Sequence, residues 1–549
     1  MNAIAALANS AWLASSLPAW MRFHRALNEP ERRQRNILSR LVATNRDCAF
    51  GRAHAFGTIH SYDEFRERVP VVDYEAPEPW VARIRRGETA VLTQEPVTRL
   101  LPTSGSTGGR KLIPFTATFQ RELNAASGPW MVDLCRQHPS VALGPAYWSV
   151  SPAIATSDEE SAVAIGFDDD SAYVGRMRQR LVETALAVPS ALRLVRDVEC
   201  LRYLTLLCLL RRRGLRLISV WHPSFLTLLL DALPASWDEL LRDVESGGCQ
   251  RGAQLPQEVR RALAARPQLR RARELRDAGP RNPHALWPCL RVVSCWADAQ
   301  AALPAQDLQR RLPHAVIQAK GLLATEAFIS IPFRGQHPLA IASHFYEFAD
   351  ARGAVRLAHE LQRGETYTVI VTTGAGLWRY RLGDFVEVDG FIGRTPSLRF
   401  LGRGNSVSDL CGEKLAETFV TRAIAAALAA CGLAPRFDML APENDVGHWH
   451  YTLFFEGAVP AALAAKLDTE LRDNPHYALC RDLGQLGPLQ VFCVGSGAYE
   501  ILCAAAAAQG RRWGEVKPQS LSPRPDWRRR FERADASDGL EHLANRTPK

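Results

Sequence analysis

One loop constrains this chain more than any other feature: Thr103-Ser-Gly-Ser-Thr-Gly-Gly-Arg-Lys111. Its glycines let backbone N–H groups approach an anion closely, its hydroxyls add donors and Lys111 adds charge. The loop follows a predicted strand, Val97–Leu101, as phosphate-binding loops do. A Walker loop is excluded, because Arg110 separates Gly109 from Lys111. A Ser/Thr/Gly run alone is more often a surface loop, and the Arg-Lys ending is what favours phosphate here.

Composition narrows the class of protein. The 549 residues are 47% hydrophobic and 23% charged, which is typical of a globular chain of several domains. The net charge of +9 would suit nucleic acid, a membrane surface or an anionic substrate, and does not choose among them. Twelve cysteines without a Cys-x-x-Cys pair argue against zinc ribbons and favour reduced thiols in a cytosol.

The N-terminal stretch Met1–Met21 has no charged side chain, but it also lacks the basic region of a signal peptide. We expect an amphipathic helix there. The uncharged segment Leu217–Leu230 is too short to span a bilayer, and Pro223 interrupts it. The sequence therefore predicts a cytoplasmic protein without a membrane-spanning segment.

Periodicity organises the first part of the chain. Apolar residues at helical spacing predict a helix over Glu31–Asn45, and Ser61 with Glu64 forms a capping-box pattern. Residues 177–280 are predicted to be mostly helical. Leu290–Cys295 and Ala315–Ala319 are predicted to be short buried strands of a parallel sheet, with a helix between them.

From residue 355 to 401 the pattern changes to a β meander, and after Gly402 to α+β. The meander strands are predicted at Ala354–Ala358, Thr366–Thr372, Phe385–Val388 and Leu398–Phe400. The later elements are a helix over Leu415–Ala430, a strand over Trp449–Phe455, a helix over Ala461–Asp473 and a strand over Leu489–Val494. We place the domain boundary near residue 404, giving an N-terminal domain over 1–404, a C-terminal domain over 405–549 and a hinge at about 402–412.

Three further motifs follow the loop in order. Leu323-Ala-Thr-Glu326 places an acid just after a predicted buried strand, and Tyr380-Arg-Leu-Gly-Asp384 follows the strand that carries Trp378. Gly402-Arg403 precedes Gly412-Glu-Lys414 at the proposed boundary. Each has an ordinary reading: Glu326 as a surface acid, Asp384 as an exposed turn residue and Arg403 as an ion-pair donor. Their order and spacing are harder to explain in that way.

In that order, these motifs resemble the adenylate-forming superfamily of acyl-CoA synthetases, peptide-synthetase adenylation domains and luciferases. Within it, the chain is most similar to the Gretchen Hagen auxin-responsive promoter family of acyl acid amido synthetases, over roughly residues 31–520. Supporting words are Phe65-Arg-Glu-Arg-Val-Pro70, Ser219-Val-Trp-His-Pro-Ser-Phe225, Phe345-Tyr-Glu-Phe348, Gly376-Leu-Trp-Arg-Tyr-Arg-Leu-Gly-Asp384, Asn474-Pro-His-Tyr477 and Val516-Lys-Pro518. The resemblance implies an α/β fold: a large N-terminal domain with mixed sheets, a small β barrel and flanking helices, and a smaller mobile α+β C-terminal lid.

The resemblance also implies roles for residues of an ATP site with Mg²⁺. The β- and γ-phosphates would be held by Ser104, Gly105, Ser106, Thr107, Gly108 and Lys111. Thr325 would contact the α-phosphate, Glu326 would bind Mg²⁺, and Asp384 with Tyr380 would bind the nucleoside. Arg403 would brace ribose or phosphate, and a turning C-terminal domain would deliver Lys414 and Lys517 as catalytic cations. The N-terminal domain would then bind ATP and the acyl acid.

The implied reaction is adenylation of a carboxylic acid, then transfer of the acyl group to an amine, with an amino acid as the expected acceptor. Three other readings stay open: an acid–thiol ligase that uses coenzyme A, a basic nucleic-acid-binding protein, and a degenerate scaffold without activity. The absence of nucleic-acid-binding motifs argues against the second. We expect no nucleic acid or membrane partner, and the sequence does not give the oligomeric state.

The chain departs from the family pattern near the substrate positions. Trp296-Ala-Asp-Ala299 stands where glycine is usual after a strand, Ala327 follows Glu326 where glycine is common, and Glu515 replaces a usual glutamine. Tyr147, Trp148 and Trp221 are candidates for an aromatic acyl pocket, although core packing is the commoner role for any one of them. The acid and the amine therefore stay open at the level of sequence.

Overall fold

The computed structural model describes residues 3–73, 75–103, 111–149, 161–166, 176–403, 407–408, 410, 413, 415–445, 448–482, 486–507, 516 and 519–532. The chain divides into two compact units: residues 1–298 with 305–400, and residues 299–304 with 401–549. Each unit has hydrophobic core clusters of its own. Within the described ranges, no helix is both long and apolar enough to cross a bilayer.

Helices dominate the first 311 residues. They are α1 (Ala3–Ala26), α2 (Pro30–Thr44), α3 (Ala49–Ala53), α4 (Tyr62–Arg68), α5 (Glu78–Arg85), α6 (Ala117–Gln137), α7 (Arg176–Ala185), α8 (Val198–Leu210), α9 (Pro223–Ala232), α10 (Trp237–Ser246), α11 (Gln257–Leu263), α12 (Leu269–Ala278), α13 (Pro283–Leu286) and α14 (Ala302–Arg311). The strands up to residue 403 are β1 (Arg99–Thr103), β2 (Lys111–Phe115), β3 (Ala146–Trp148), β4 (Leu217–Ser219), β5 (Val292–Cys295), β6 (Val316–Ala319), β7 (Phe345–Ala349), β8 (Val355–Leu357), β9 (Thr366–Thr372), β10 (Tyr380–Ile392) and β11 (Thr395–Arg403).

Local sequence signals explain the first helices. The predicted N-terminal helix is α1, which buries Trp12 and Phe23 on one face. The predicted second helix is α2, where Pro30 occupies the first turn and the predicted apolar stripe is buried. The capping box that opens α4 is present: Glu64 N donates to Ser61 Oγ at 3.2 Å, and Ser61 N donates to Glu64 Oε2 at 3.2 Å.

The four-stranded sheet is parallel, with the order β3-β4-β5-β6, and helices lie between its strands in sequence. The two strands predicted at 290–295 and 315–319 are β5 and β6, and they pair in parallel as expected. Every residue of β5 is buried. The prediction that β6 is buried is wrong, because β6 is the edge strand of this sheet and Val316 is 41% exposed.

The five-stranded sheet is antiparallel, with the order β11-β10-β9-β7-β8. Three of the predicted meander strands fall within β9, β10 and β11, and the bounds of β9 agree with the prediction. The fourth, predicted at Ala354–Ala358, is one residue too long at each end, since β8 runs only from Val355 to Leu357. An isolated bridge between Pro338 and Ser397 continues the pairing beside β11. Strand β10 is longer than predicted, since it runs from Tyr380 to Ile392 and therefore includes the whole Tyr-Arg-Leu-Gly-Asp motif.

The second unit is α+β, as the sequence predicts. Its elements are β12 (Val407–Ser408), β13 (Leu415–Ala416), α15 (Glu417–Cys431), β14 (Asp438–Asp445), β15 (His448–Glu456), α16 (Leu463–Leu471), α17 (Pro475–Asp482), β16 (Gln490–Val494) and α18 (Ala498–Ala507). Strand β15 pairs antiparallel with β14 and parallel with β16. Tyr451 on β15 donates to Glu413 Oε1 at 2.5 Å and accepts from Ser408 Oγ at 2.6 Å, which ties the first segments of this unit to its sheet.

Candidate active site

The glycine-rich loop joins the two strands of a hairpin. Thr103 at the end of β1 pairs with Lys111 at the start of β2, and residues 104–110 between them lie outside the described residues. The predicted phosphate contacts of Ser104, Gly105, Ser106, Thr107 and Gly108 therefore stay predictions. Lys111 is half-buried. Strand β2 leads directly into α6, whose first turn is capped by Thr116, because its Oγ1 accepts from Phe119 N at 3.1 Å.

Thr325 and Glu326 form the tip of a tight hairpin. Leu323 and Phe328 form an antiparallel bridge, and Ala324 N donates to Ala327 O at 2.9 Å. The sequence predicted an acid at the end of a strand. The structure corrects this, since β6 already ends at Ala319 and Glu326 lies on the following hairpin.

Glu326 is also not the surface acid of the ordinary reading, because it is only 5% exposed. Close packing of the backbone sets its position. Gly321 has φ of 72°, and a Cβ at that residue would lie 2.8 Å from Ser330 O. The chain therefore turns sharply after β6, before it reaches the Thr325–Glu326 hairpin.

Asp384 corrects a second prediction. The sequence predicted an exposed turn carboxylate, but Asp384 lies inside β10 and is fully buried. The register of β10 against β9 shifts between Arg381 and Phe385, and Gly383 within that shift has φ of 76°. A bulge of this kind bends a strand and redirects a side chain, and bulges are common beside active sites. The glycine of the motif is therefore a requirement of the backbone.

Tyr380 begins the same strand and is nearly fully buried. With Phe50, Trp80 and Trp378, it lines an apolar cavity of about 130 Å³. Trp378 Nε1 donates to Leu92 O at 3.1 Å, which fixes this aromatic wall. The role of Tyr380 in nucleotide binding stays a prediction.

A buried ion pair holds the start of β10. Arg379 donates from Nε to both oxygens of Glu347 at 3.0 Å and from Nη2 to Oε1 at 2.8 Å. Its Nη1 donates to the carbonyls of Arg66 and Val69, and Tyr62 donates to Glu347 Oε1 at 2.8 Å. Burial, and then the nearby Glu347 carboxylate, raise the pKa of Tyr62.

Arg379 and Glu347 lie within two of the sequence motifs named above, but the sequence did not predict that their side chains pair. The only available signal was that both are charged residues within otherwise apolar strand patterns. In the fold, this pair connects the Phe65–Pro70 segment to the sheet. It therefore belongs to the frame that supports β10.

Glu122 and His344 link the supporting segments of the candidate site residues. Both are buried, and His344 Nδ1 lies 2.9 Å from Glu122 Oε2. Phe328 N, beside the Thr325–Glu326 hairpin, donates to His344 Nε2 at 3.3 Å. Gly374 N, in the turn between β9 and β10, donates to Glu122 Oε2 at 2.8 Å. The hairpin, the turn before β10 and helix α6 after Lys111 therefore meet at one buried pair.

The carboxyl ends of the parallel strands form a second polar centre. Lys320 follows β6 and is 4% exposed, and its Nζ donates to Ser219 Oγ at the end of β4 at 2.8 Å. The same Nζ lies 4.5 Å from the ring centroid of Trp221 and 5.9 Å from that of Trp130. The rings of Trp221 and Trp296 are 5.6 Å apart. In open parallel sheets, ligands bind outside the carboxyl ends of the strands.

This edge separates the three aromatic candidates of the sequence. Trp221 lies at the edge with Lys320, whereas Tyr147 is fully buried in the core formed with helix α8. Trp148 packs edge-to-face against Trp12 of α1, with ring centroids 6.0 Å apart. His222 beside Trp221 is buried, and this burial lowers its pKa to about 3. Its Nδ1 accepts from Ser224 N at 3.2 Å.

The remaining predicted residues belong to the second unit. Arg403 ends β11, but its side chain lies outside the described residues, as do Lys414 and Lys517 entirely. Their predicted roles, and the predicted hinge, stay predictions. Within the described part of the chain, no group of three or more metal-ligating side chains occurs.

Comparison with known proteins places this geometry in a family. Profiles of the GH3 family N-terminal, central and C-terminal domains match residues 19–315, 337–403 and 419–526. The chain belongs to the GH3 family. The resemblance that the sequence motifs predicted is thereby confirmed.

GH3 relatives share most of the length of this chain. It is 26% identical to an indole-3-acetic acid-amido synthetase, GH3.8, of Oryza sativa subsp. indica, over 82% of each chain. It is 23% identical to a 4-substituted benzoates-glutamate ligase, GH3.12, of Arabidopsis thaliana, over 88% of this chain and 91% of that protein. The solved AtGH3.15 acyl acid amido synthetase in complex with 2,4-DB has a TM-score of 0.83 and 18% identity, and the match covers 95% of this chain and 96% of that one. The predicted α/β fold is confirmed.

Proposed function

We propose that this GH3 protein is an AMP-forming ligase that joins a carboxylic acid to an amine, with an amino acid as the acceptor. One observation carries the proposal. The segments that bear Lys111, Glu326 and Asp384 meet at the buried pair Glu122–His344. Residues that are far apart in sequence but whose segments contact the same buried pair are suited to form a single substrate site.

Activation of the acid is the first step. A carboxylate oxygen attacks the α-phosphorus of ATP, the bond from that phosphorus to the bridging oxygen breaks, and pyrophosphate leaves with the electron pair. Such a transfer is catalysed mainly by positioning and charge neutralisation. Residues 104–108 with Lys111 would hold the β- and γ-phosphates, and Thr325 would contact the α-phosphate.

Glu326 is suited to hold Mg²⁺. Magnesium in such sites is bound by one or two carboxylates together with substrate phosphates, and it keeps several waters. A single buried carboxylate on a tight hairpin meets this requirement. When bound, the cation would neutralise charge on the phosphates.

Asp384 would accept hydrogen bonds from the ribose hydroxyls, because an ionised carboxylate only accepts and has two oxygens for two donors. The bulge at Gly383 fixes its direction on β10. We assign Tyr380 to the same nucleoside wall on the basis of the family resemblance. Asp384 and Tyr380 share one strand, so a change in β10 alters both.

The C-terminal unit would supply the remaining cations. Arg403 would brace ribose or phosphate, and Lys414 and Lys517 would reach the α-phosphate or the departing pyrophosphate. This role requires a lid over residues 405–549 that turns about a hinge near 402–412. Proline at Ser406 would restrict one φ angle of that hinge, and we expect it to separate adenylation from amide formation.

The second step consumes the acyl-adenylate. The amine nitrogen attacks the acyl carbon, AMP leaves with the electron pair of the broken carbon–oxygen bond, and the nitrogen loses a proton. We place the acid at the edge of the parallel sheet, where Lys320 and Trp221 lie. A cation and indole faces there would suit the carboxylate and an apolar acyl body.

Pyrophosphate release with a panel of carboxylic acids tests the proposal. We expect release that depends on both ATP and acid, and an amide product when amino acids are added. Coenzyme A in place of the amino acids is the parallel arm. Acid-independent release would overturn the adenylation step, and a thioester in preference to an amide would reassign the acceptor.

A further inference from the structure

The pair Glu122–His344 has no role in the chemistry described above, although both of its side chains are buried among the segments that support the candidate site. Glu122 is 3% exposed and His344 is 0% exposed. Oε2 of the carboxylate and Nδ1 of the ring are 2.9 Å apart. The pair joins α6 to the residue just before β7, more than two hundred positions away.

The hydrogen bonds assign the ring proton. Phe328 N–H donates to Nε2, which must therefore carry a lone pair. The proton of a neutral imidazole then lies on Nδ1 and is donated to Glu122 Oε2. His344 consequently works as a two-sided connector, with an acceptor toward Phe328 and a donor toward Glu122.

Glu122 extends the connection to the turn before β10. Its Oε2 also accepts from Gly374 N at 2.8 Å, while Thr116 Oγ1 donates to Gly374 O at 2.7 Å. The amide hydrogen and the carbonyl of one residue are thus both held by the first turns of α6. A Cβ at Gly374 would lie 2.5 Å from Thr118 Cγ2, so the approach requires glycine.

Phe328 is held from its other side as well. Tyr346 Oη donates to Phe328 O at 2.6 Å, and Ser343 Oγ donates to the carbonyl of Glu122 at 2.7 Å. Both polar backbone groups of Phe328 therefore bond to the segment Ser343–Tyr346. Buried networks in which each bond supports the next rigidify the segments they join.

We propose that Glu122 and His344 are positioning residues that set the Mg²⁺ hairpin and the nucleoside strand relative to each other. The inference rests on the proposed function, since it assigns Glu326 and Asp384 to one ATP molecule. His344 fixes Phe328 next to the Thr325–Glu326 hairpin, and Glu122 fixes Gly374 next to β10. A displacement of about 1 Å at reacting groups can cost on the order of 10²-fold in rate.

Two substitutions at His344 separate this role from plain structural support. The glutamine side chain reaches the position of Nε2 and can still accept from Phe328, whereas the asparagine side chain reaches only the position of Nδ1. We expect His344→Asn to raise the half-saturating Mg²⁺ concentration for pyrophosphate release about tenfold. We expect His344→Gln to stay within about threefold of the wild type, because the Phe328 bond is kept.

Glu122 tests the other arm. Glu122→Gln keeps a carbonyl oxygen for Gly374, and we expect the KM for ATP to stay within about threefold. Glu122→Leu removes that acceptor, and we expect a rise of at least about tenfold in the same constant. Tyr203→Phe is the matched control, because it removes an equally buried hydrogen bond, to Asp243 at 2.6 Å, among helices remote from these segments in sequence.

The outcomes distinguish the two proposals. If all variants shift only the melting temperature, as Tyr203→Phe should, then Glu122 and His344 are structural and the positioning inference is overturned. If the wild type itself releases no pyrophosphate with any acid, the proposed function fails. Calorimetric titration with Mg²⁺ in the presence of a non-hydrolysable ATP analogue can still test the inference in that case. The inference requires that His344→Asn bind Mg²⁺ more weakly than His344→Gln does.

Discussion

The antiparallel sheet and the parallel sheet both bury charge, but they surround it differently. In the antiparallel sheet, Arg379 and Glu347 neutralise each other through several hydrogen bonds. At the edge of the parallel sheet, the ammonium of Lys320 lies against a hydroxyl and two indole faces. A buried pair of opposite charges is suited to supporting the structure around it. A cation among aromatic rings at the carboxyl ends of parallel strands is suited to binding an anion.

The largest effect on stability should come from breaking the buried ion pair between Arg379 and Glu347. We expect Arg379→Met to lower the free energy of unfolding by about 3–5 kcal/mol, since Glu347 would be left as an uncompensated buried charge. Arg381→Met, two residues further along the chain on β10, is the control, because its pair with Asp73 at 3.3 Å is solvent-exposed and should contribute less than about 1 kcal/mol. Urea denaturation measures both, and equal losses would contradict the distinction between frame and surface.

Asp384 lies on β10, the strand that the Arg379–Glu347 pair supports, but we expect its substitution to change activity more than stability. Because it is buried, alanine would leave a cavity, so Asp384→Asn is the cleaner change. We expect it to weaken ATP-dependent pyrophosphate exchange by roughly 30- to 150-fold, about 2–3 kcal/mol, through loss of charge-assisted bonds. Circular dichroism should show a retained fold. Unchanged exchange would remove Asp384 from the nucleotide site.

His222, at the carboxyl end of β4, should make the stability of the protein depend on pH. Burial lowers its pKa to about 3, so between about pH 3 and the ordinary value near 6.5 the unfolded chain binds a proton that the folded chain does not. Stability from this group is therefore complete above pH 6.5 and is lost as pH falls, by up to about 1.4 kcal/mol per pH unit. His222→Gln should flatten that slope, and the exposed His60→Gln should not.

The smallest expected effect concerns Lys320. We expect Lys320→Met to raise the KM for the acid about fivefold, about 1 kcal/mol, while the KM for ATP changes less than twofold. Ser219→Ala removes only the hydroxyl that Lys320 contacts, and its effect should be smaller. A shift in the KM for ATP instead of the acid would place Lys320 with the nucleotide, and would erase the contrast between the two sheets.

The local sequence pattern was enough to predict many helices and strands and to identify the ordered motifs. The helix at Pro30–Thr44 followed from its apolar stripe, and the capping box at Ser61 from its side-chain chemistry. The edge position of β6 did not follow, because a short apolar run reads the same in a central strand and in an edge strand. The burial of Asp384 was missed for a similar reason, since a Gly-Asp pair signals a turn and a bulge alike.

The sequence by itself determined the chemistry available to this protein: a hydroxyl- and glycine-rich loop ending in Lys111, an acid at Glu326 and a carboxylate at Asp384. Only the tertiary structure decided which buried groups hold these residues. Glu122 meets His344, Glu347 meets Arg379, and Lys320 meets Trp221. Such contacts form between strands and helices far apart in the chain, where hydrogen-bond geometry and exclusion of water select the partners, and no periodicity of neighbouring residues records that choice.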